Sequence, residues 1–315
     1  MDLSNFNHEY LDAPENAFLR RELEHVRTKL YETLFPQFMA RTLVSVNHEV
    51  PSGAEVDTFN IMKEYGEAQL GGGYSNTPPR VDVSISDVSA SIKPIKAAYG
   101  YSMQEVRAAI LAGRPIDPLK AKVARTIVEQ KIDQTIMFGS SANGLAGLFA
   151  LSGTNTQAVL TGAAGDTWLL KTSDEIVKDI FALINKSHNV SKGIYTVDTV
   201  AMSTIDSQFL EERRMRDSNN TSILDHVRGL RPGIDFKANI NLEAAPASEW
   251  TGTRIMAYSN SAEFLESVIP QEFEQLAPQV KDYETIVNCH ARIAGIRLPH
   301  PKSVTYMDNV QSQSA

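Results

Sequence analysis

The apolar positions of the chain change period in blocks. Between residues 17 and 34, Phe18, Leu19, Leu23, Val26, Leu30 and Leu34 recur at three- and four-residue spacing, with Arg20, Arg21, Glu22, Glu24 and Lys29 between them. This is the period of a helix with one buried stripe. Pro36 predicts its end, and the polar stretch before it, 1–16, reads as an arm. A short strand is predicted over 42–46. Between 55 and 96 the period drops to two. Phe59 and Ile61 alternate with polar neighbours, and Val81, Val83 and Ile85 alternate with Asp82, Ser84 and Ser86. Gly71-Gly72-Gly73-Tyr74-Ser75-Asn76-Thr77-Pro78-Pro79 separates the two runs and reads as a loop. The block predicts a two-stranded hairpin with arms of about fifteen residues, reaching roughly 50 Å at about 3.3 Å per residue. An isolated hairpin is marginal in water. One this long must lie on its own body or on a neighbour.

Helical signals follow. Ser102 with Glu105 forms a capping box for a short helix over 103–112, closed by Gly113. Asp117 caps a second helix with Pro118 at its first position. It is predicted to run to Phe138 with Val123, Ile127, Val128, Ile132 and Ile136 as its buried stripe, and spans roughly 30 Å at about 1.5 Å per residue. The stretch 139–167 reads mostly as loop. A helix over 174–186 carries Ile176, Ile180, Phe181 and Ile184. Beyond it the pattern predicts a strand over 193–200, helices over 209–215 and 223–227, and strands over 234–242 and 254–258, an α/β subdomain. From Pro270 the pattern is β. Over 283–293, Thr285, Val287, Cys289, Ala291 and Ile293 share one face, and Ile286, Asn288, His290 and Arg292 the other. Gly295 breaks this strand, and a last one is predicted over 303–307. The class is α+β.

Composition narrows the chemistry. The 315 residues are 42% hydrophobic and 22% charged, which excludes wholesale disorder. The single cysteine, Cys289, excludes an intrachain disulfide and a cysteine-based zinc site. The N-terminal residues lack the basic and apolar regions of a signal peptide, and no run of eighteen apolar residues suggests a membrane span. Synthesis inside the cell is expected. The net charge of −8 argues against tight binding to a nucleic-acid backbone, which needs clustered Lys and Arg, but not against enclosing nucleic acid at a distance.

Catalytic constellations are weak. Cys289 and His290 are adjacent, so on a strand they point apart, and Cys289 reads as core. The run GSSANGLAG, 139–147, has glycines spaced like a phosphate cradle, yet it follows a helix and lacks the Gly-Lys-Ser/Thr ending. It reads as a flexible exit from that helix. Asn47-His48-Glu49 has no second histidine at the spacing of a zinc protease. Glu272 and Glu274 read as a solvated acidic segment. Glu211, Glu212, Arg213, Arg214 and Arg216 form a mixed-charge run, either an ion-paired helical surface or a subunit contact. No catalytic, cofactor-binding or metal-binding residue is assigned.

The order of parts carries more than any single residue. Four stretches stand out: Phe18-Leu19-Arg20-Arg21-Glu22-Leu23-Glu24; Tyr101-Ser102-Met103-Gln104-Glu105-Val106-Arg107-Ala108-Ala109; Phe138-Gly139 through Gly144-Leu145-Ala146-Gly147-Leu148; and Arg292-Ile293-Ala294-Gly295-Ile296 leading to Pro299. Together with the succession of helix, long hairpin, long helix, α/β region and terminal strands, the chain resembles the major capsid proteins of tailed bacteriophages. These share the Hong Kong 97-type fold with encapsulin shells.

The resemblance implies an N-terminal arm over 1–46, an extended hairpin (the E-loop) over 47–100, and a peripheral domain over 101–173 and 271–315 with its spine helix at 118–138. It implies an axial domain over 174–270. It implies a structural protein without catalysis or cofactor, localised in the virion and made in the bacterial host cytoplasm. The shell would be icosahedral and enclose double-stranded DNA without binding it specifically. Partners would be copies of the chain as hexamers and pentamers, with a separate scaffolding protein, a portal and a decoration protein. The residues expected at inter-subunit contacts are Phe59, Ile61, Lys63, Tyr74, Arg80, Val83, Arg213, Arg214 and Arg216. Some relatives crosslink lysine to asparagine between subunits. Lys63 has no catalytic acid suggested nearby, so no crosslink is expected. The alternatives are an encapsulin-like compartment and a soluble α/β enzyme using Glu272, His290 or the Gly139 loop.

Overall fold

The computed structural model describes residues 37–70, 79–113, 117–216, 220–243, 250, 252–308 and 310. The predicted helix over 17–34 and the Gly71–Pro78 part of the hairpin loop, with Tyr74, lie outside the described residues. The chain divides into two compact units, 1–37 and 38–315, and the description concerns the second.

The first described element is one helical turn, α1 (Ala40–Leu43), where a strand over 42–46 is expected. The Asp133 carboxylate accepts the Ala40 amide at 2.8 Å, which holds the turn. A three-residue strand, β1 (Ser45–Asn47), follows. Next comes the hairpin, β2 (Val56–Tyr65) against β3 (Asp82–Ser91), antiparallel through ten consecutive pairs from Val56–Ser91 to Tyr65–Asp82. Its arms are shorter than expected because Ile92 is buried against Val268 and Ala294 and turns the chain. The residues after it form β4 (Lys93–Ser102), which belongs to another sheet.

α2 (Met103–Ala112) has the predicted capping box, with the Glu105 amide donating to Ser102 Oγ and the Ser102 amide donating to Glu105. It ends at Gly113 with φ +62°, a left-handed conformation that glycine adopts without strain. α3 (Asp117–Phe138) is the long helix. Val128, Ile132 and Ile136 are buried as expected, but Val123 and Ile127 are about half exposed. Between Leu119 and Ile127, Ala124 alone is fully buried, and an apolar stripe is left uncovered.

The GSSANGLAG run is a tight loop, not a loose exit. The Ser140 and Leu145 amides donate to each other's carbonyls at 2.8 and 3.0 Å, so the groups a phosphate would need are used internally. Gly147 is packed so closely that a Cβ there would lie 2.1 Å from the Phe138 carbonyl carbon.

The remaining elements are β5 (Asn155–Thr156), α4 (Ser173–Val190), β6 (Thr199–Met202), α5 (Thr204–Glu212), α6 (Ile223–Leu230), β7 (Asp235–Ala238) and β8 (Arg254–Tyr258). After them come β9 (Glu266–Val268), β10 (Gln271–Gln275), β11 (Gln279–Lys281), β12 (Glu284–Ile293), β13 (Gly295–Arg297) and β14 (Thr305–Asp308). The strand expected over 193–200 begins only at Thr199. The helix expected over 209–215 begins at Thr204, because Ser203 caps it by accepting the Asp206 amide. The strand expected over 234–242 stops at Ala238 and gives way to a helical turn.

Three sheets build the body. β5, β14, β8, β6 and β7 lie side by side in that order, mixed parallel and antiparallel. β4 pairs with β12 along all ten residues, and β10 and β11 pair with the other edge of β12. β1, β9 and β13 make a small third sheet. The five-stranded sheet stands between two cores. Met256 and Tyr258 of β8 face α3 residues such as Ile132 and Ile136, while Ile255 and Ala257 face α4 residues Ile176, Ile180 and Leu183. That alternation is the period of a strand buried on both faces.

Candidate assembly interface

The ribbon of β2 and β3 has two distinct faces. Cross-strand pairing puts Asp57, Phe59, Ile61, Lys63 and Tyr65 with Asp82, Ser84, Ser86, Val88 and Ala90 on one of them. Asn60, Met62 and Glu64 lie on the other, opposite Asp87, Ile85 and Val83. The first face is anchored at its root. Arg297 lies over the Phe59 ring at 4.5 Å and 3.6 Å from the Asp57 carboxylate. Asp57, Phe59 and Ile61 are half-buried as a result.

Beyond the root the ribbon is open on both faces. Met62 is 60% exposed, Ile85 65% and Val83 53%, and every residue of β3 from Asp82 to Ser89 is exposed. Three apolar side chains facing water together are the signature of a surface that another molecule covers. The two strand edges of the ribbon are likewise unpaired among the described residues, open to pairing by another chain.

Two further uncovered apolar surfaces lie on the sheet of β4 and β12. A groove of about 670 Å³ separates α2 from β10 and β12, lined by Tyr99, Val106, Ile110, Leu276 and Val287. A trough between β4 and the first half of α3 has cavities of about 510 and 280 Å³, with Ala97 and Ile127 lining both. A ribbon anchored only at its root, on a body with uncovered grooves, is the geometry of a subunit.

A family model for the major capsid protein matches residues 66–310. The chain belongs to the major capsid protein family. Its fold is that of solved phage capsids. It is similar to the capsid of Myoviridae phage XM1 at 18% identity, with a TM-score of 0.79 over 93% of this chain and 99% of that one. The similarity to Mycobacterium phage Adephagia is 14% identity and TM-score 0.60 over 92% and 97%. The capsid of an empty GTA particle matches at 12% identity and TM-score 0.63 over 90% and 94%. No curated protein matches the chain. This capsid protein thus has the Hong Kong 97-type fold expected from its order of parts, and its place is in a shell built by self-assembly.

The expected contact residues fall into three groups. Lys63, Arg80 and Val83 are exposed on or beside the ribbon, and Tyr74 lies outside the described residues. Phe59 and Ile61 lie on the half-buried face and pack partly against their own body. Arg213 is held within its own chain, donating to the carbonyls of Trp168 and Lys171, while Arg214 donates to Asn220 at 3.1 Å and Arg216 is exposed. Met62 and Ile85 were not singled out from sequence. The cue was cross-strand register, which puts a methionine opposite an isoleucine.

The residues considered for catalysis have structural partners. Cys289 is 2% exposed, and burial pushes its thiol pKa up, so it is a poor nucleophile. His290 points to the other face and lies 3.8 Å from Glu274. Glu272 takes two hydrogen bonds from Arg41, at 2.8 and 2.7 Å, which hold its pKa below the usual carboxylate range. His48 is exposed beside the same carboxylate.

Proposed function

We propose that the capsid subunit builds the icosahedral head of a tailed phage, repeating as hexamers and pentamers around packaged double-stranded DNA, and that its role is structural. The exposed distal ribbon carries this reading. A two-stranded ribbon is marginal alone, so copies of the chain complete it, and closed symmetry repeats each modest contact many times. The reading divides the chain into arm 1–46, E-loop 47–100, peripheral domain 101–173 and 271–315, and axial domain 174–270. The axial sheet borrows β5 and β14 from the flanking segments.

The acidic balance fits a wall that encloses DNA without gripping it. A separate scaffolding protein, a portal and a decoration protein complete the particle, which is assembled in the bacterial cytoplasm. Negative-stain imaging of the expressed chain, alone and with its scaffolding protein, tests this. Closed shells or capsomer rings are expected. A compact monomer under every condition overturns the reading.

A further inference from the structure

The root of the ribbon holds an ion pair that is half made. Arg297 stands opposite Glu266 in the β13–β9 register, with Nη1 2.9 Å from its carboxylate. Glu266 takes a second bond from Asn47 Nδ2, also at 2.9 Å. The guanidinium is therefore pinned to the body. Asp57, on the ribbon, lies 3.6 Å from the same Nη1, which is longer than the roughly 2.7–2.9 Å of a charge-assisted hydrogen bond. Both groups are left short. Asp57 Oδ2 and Arg297 Nε are buried and have no hydrogen-bond partner among the described residues. Buried polar atoms nearly always have partners, so an acceptor and a donor stranded in one pair call for an explanation.

The neighbours do not supply the missing bonds. Asp57 faces Ala90 across the ribbon, and Val56 and Thr58 point to the other face. Arg297 cannot move out to Asp57 without leaving Glu266. The ribbon can come in. It is tied to the body where the Ile92 amide donates to the Glu55 carbonyl at 2.8 Å and Ile92 is buried against Val268 and Ala294. Past that tie, Phe59 meets the same guanidinium through its ring face, at 4.5 Å. A ring-face contact has no single register and tolerates sliding.

We infer that Asp57 is a positioning residue for the ribbon, with a second setting in which the ribbon swings inward about the Glu55–Ile92 tie and the Asp57 carboxylate closes on Arg297. The travel is small. Closing 3.6 Å to the 2.9 Å that Glu266 already has takes about 0.7 Å at Asp57. Asp57 is two residues from the tie, about 7 Å, and Tyr65 is ten residues from it, about 33 Å. A stiff ribbon therefore magnifies the step to about 3 Å at Tyr65. The closed setting satisfies both stranded groups, and the open one leaves the distal ribbon more latitude. The two settings form an equilibrium that any load on the distal ribbon shifts.

The inference stands apart from the shell reading, because it is measured within one chain. Spin labels at Ser84→Cys on the ribbon and Asp174→Cys on α4, both exposed positions, report the ribbon's direction. Labelled chains are diluted into excess unlabelled chain, so that intrachain distances alone contribute. Cys289 is buried and stays unlabelled. The chain with Asp57 intact is expected to give two distances that differ by about 3 Å. Asp57→Asn removes the charge that drives closure and should lose the inward distance. Asp57→Glu is longer by a methylene and reaches Arg297 without the swing. It should give one narrow distance and slow amide exchange over 56–61 by about tenfold. An inward distance that persists in Asp57→Asn overturns the inference. So do identical distances and exchange in Asp57→Glu and the parent chain, or a single ribbon setting with an ordered water fixed between Asp57 Oδ2 and Arg297 Nε.

Discussion

The guanidinium of Arg297 lies 4.5 Å from the centre of the Phe59 ring, at the point where the ribbon leaves the body. The same side chain reaches Glu266 at 2.9 Å and Asp57 at 3.6 Å. One residue therefore grips two successive inward positions of β2 and ties them to β9. Replacing it by alanine removes a cation–π contact and leaves Glu266, only 6% exposed, with Asn47 as its remaining donor. A loss of about 2 kcal/mol is expected. Hydrogen exchange over 56–61 and 88–91 should rise while α4 keeps its protection. Unchanged exchange at the ribbon root would show that Arg297 does not hold it.

The ribbon's own contribution to subunit stability is expected to be small, because its distal half buries little. Replacing residues 62–85 by an Asn-Gly turn keeps the anchored root and removes the open part. The shortened chain should melt within a few degrees of the full one, since a surface change without buried contacts costs roughly 0.5 kcal/mol or less. It should fail to form shells. A collapse of the melting temperature would place the ribbon in its own subunit's core instead.

Gly147 is a packing requirement. A Cβ there would sit 2.1 Å from the Phe138 carbonyl carbon and 2.2 Å from the Gly139 amide nitrogen, both backbone atoms. Backbone cannot move aside as a flexible side chain does. Gly147→Ala should cost more than about 3 kcal/mol, beyond the ordinary range of point mutants, and read out as a lower urea midpoint or loss of soluble protein. Gly144→Ala, where nothing lies within 4 Å but φ is +68°, should cost about 1 kcal/mol. Equal effects at the two glycines would contradict this account.

Much of this fold was legible because local signals agree with tertiary need. The Ser102 box, Gly113 and the alternation from Thr285 to Ile293 each name an element that the structure contains. The misreadings share a cause. Val123 and Ile127 look like core because periodicity detects an apolar stripe and not what covers it. The strand expected from 193 starts only at Thr199 because Ile194 and Val197, β-branched, favour a strand, while α4 ends at Val190 and the left-handed Lys192 and Gly193, with φ +53° and +95°, send the chain into a loop. The open face of the ribbon was legible only in part: Val83 was expected at a contact, but not its neighbours Met62 and Ile85. Met62 and Ile85 are 23 positions apart, and only pairing across the ribbon makes them neighbours.

Among the described residues, the least exposed charge pair is Lys171 with Asp179, 1% and 0% exposed and 2.5 Å apart. Asp179 also accepts from Trp168 Nε1 and from the Leu160 amide, each at 3.0 Å, so the carboxylate ties the 160–172 segment to α4. Asp179→Ala strands a buried ammonium and should cost about 3–5 kcal/mol. Lys171→Met with Asp179→Leu removes both charges, and the double variant should recover most of that loss. Chemical denaturation of the three proteins checks the expectation. A double variant as unstable as Asp179→Ala would mean that the indole and amide bonds, not the stranded charge, dominate.

Asp206 is wholly buried at the start of α5, with Ser203 Oγ donating to it at 2.8 Å and Thr253 Oγ1 at 3.2 Å. Burial pushes its pKa up to about 6, against these two hydrogen bonds and with a smaller push from Glu243. An acid whose pKa is higher folded than unfolded binds more protons in the folded state between those two values. Its contribution to stability is therefore full below about pH 4 and is lost as pH rises towards 6. The span corresponds to at most about 3 kcal/mol. Glu175 runs the other way: hydrogen bonds from Thr172 and Ala163 hold it at about 2, so its stabilisation is lost as pH falls below the usual glutamate range. A difference measurement separates the two. Asp206→Asn keeps one oxygen acceptor and cannot ionise, so it should flatten the decline between pH 4 and 6 and raise stability at pH 7 by about 1–2 kcal/mol. Urea midpoints of both proteins across that range check it, and parallel curves would show that Asp206 does not titrate there.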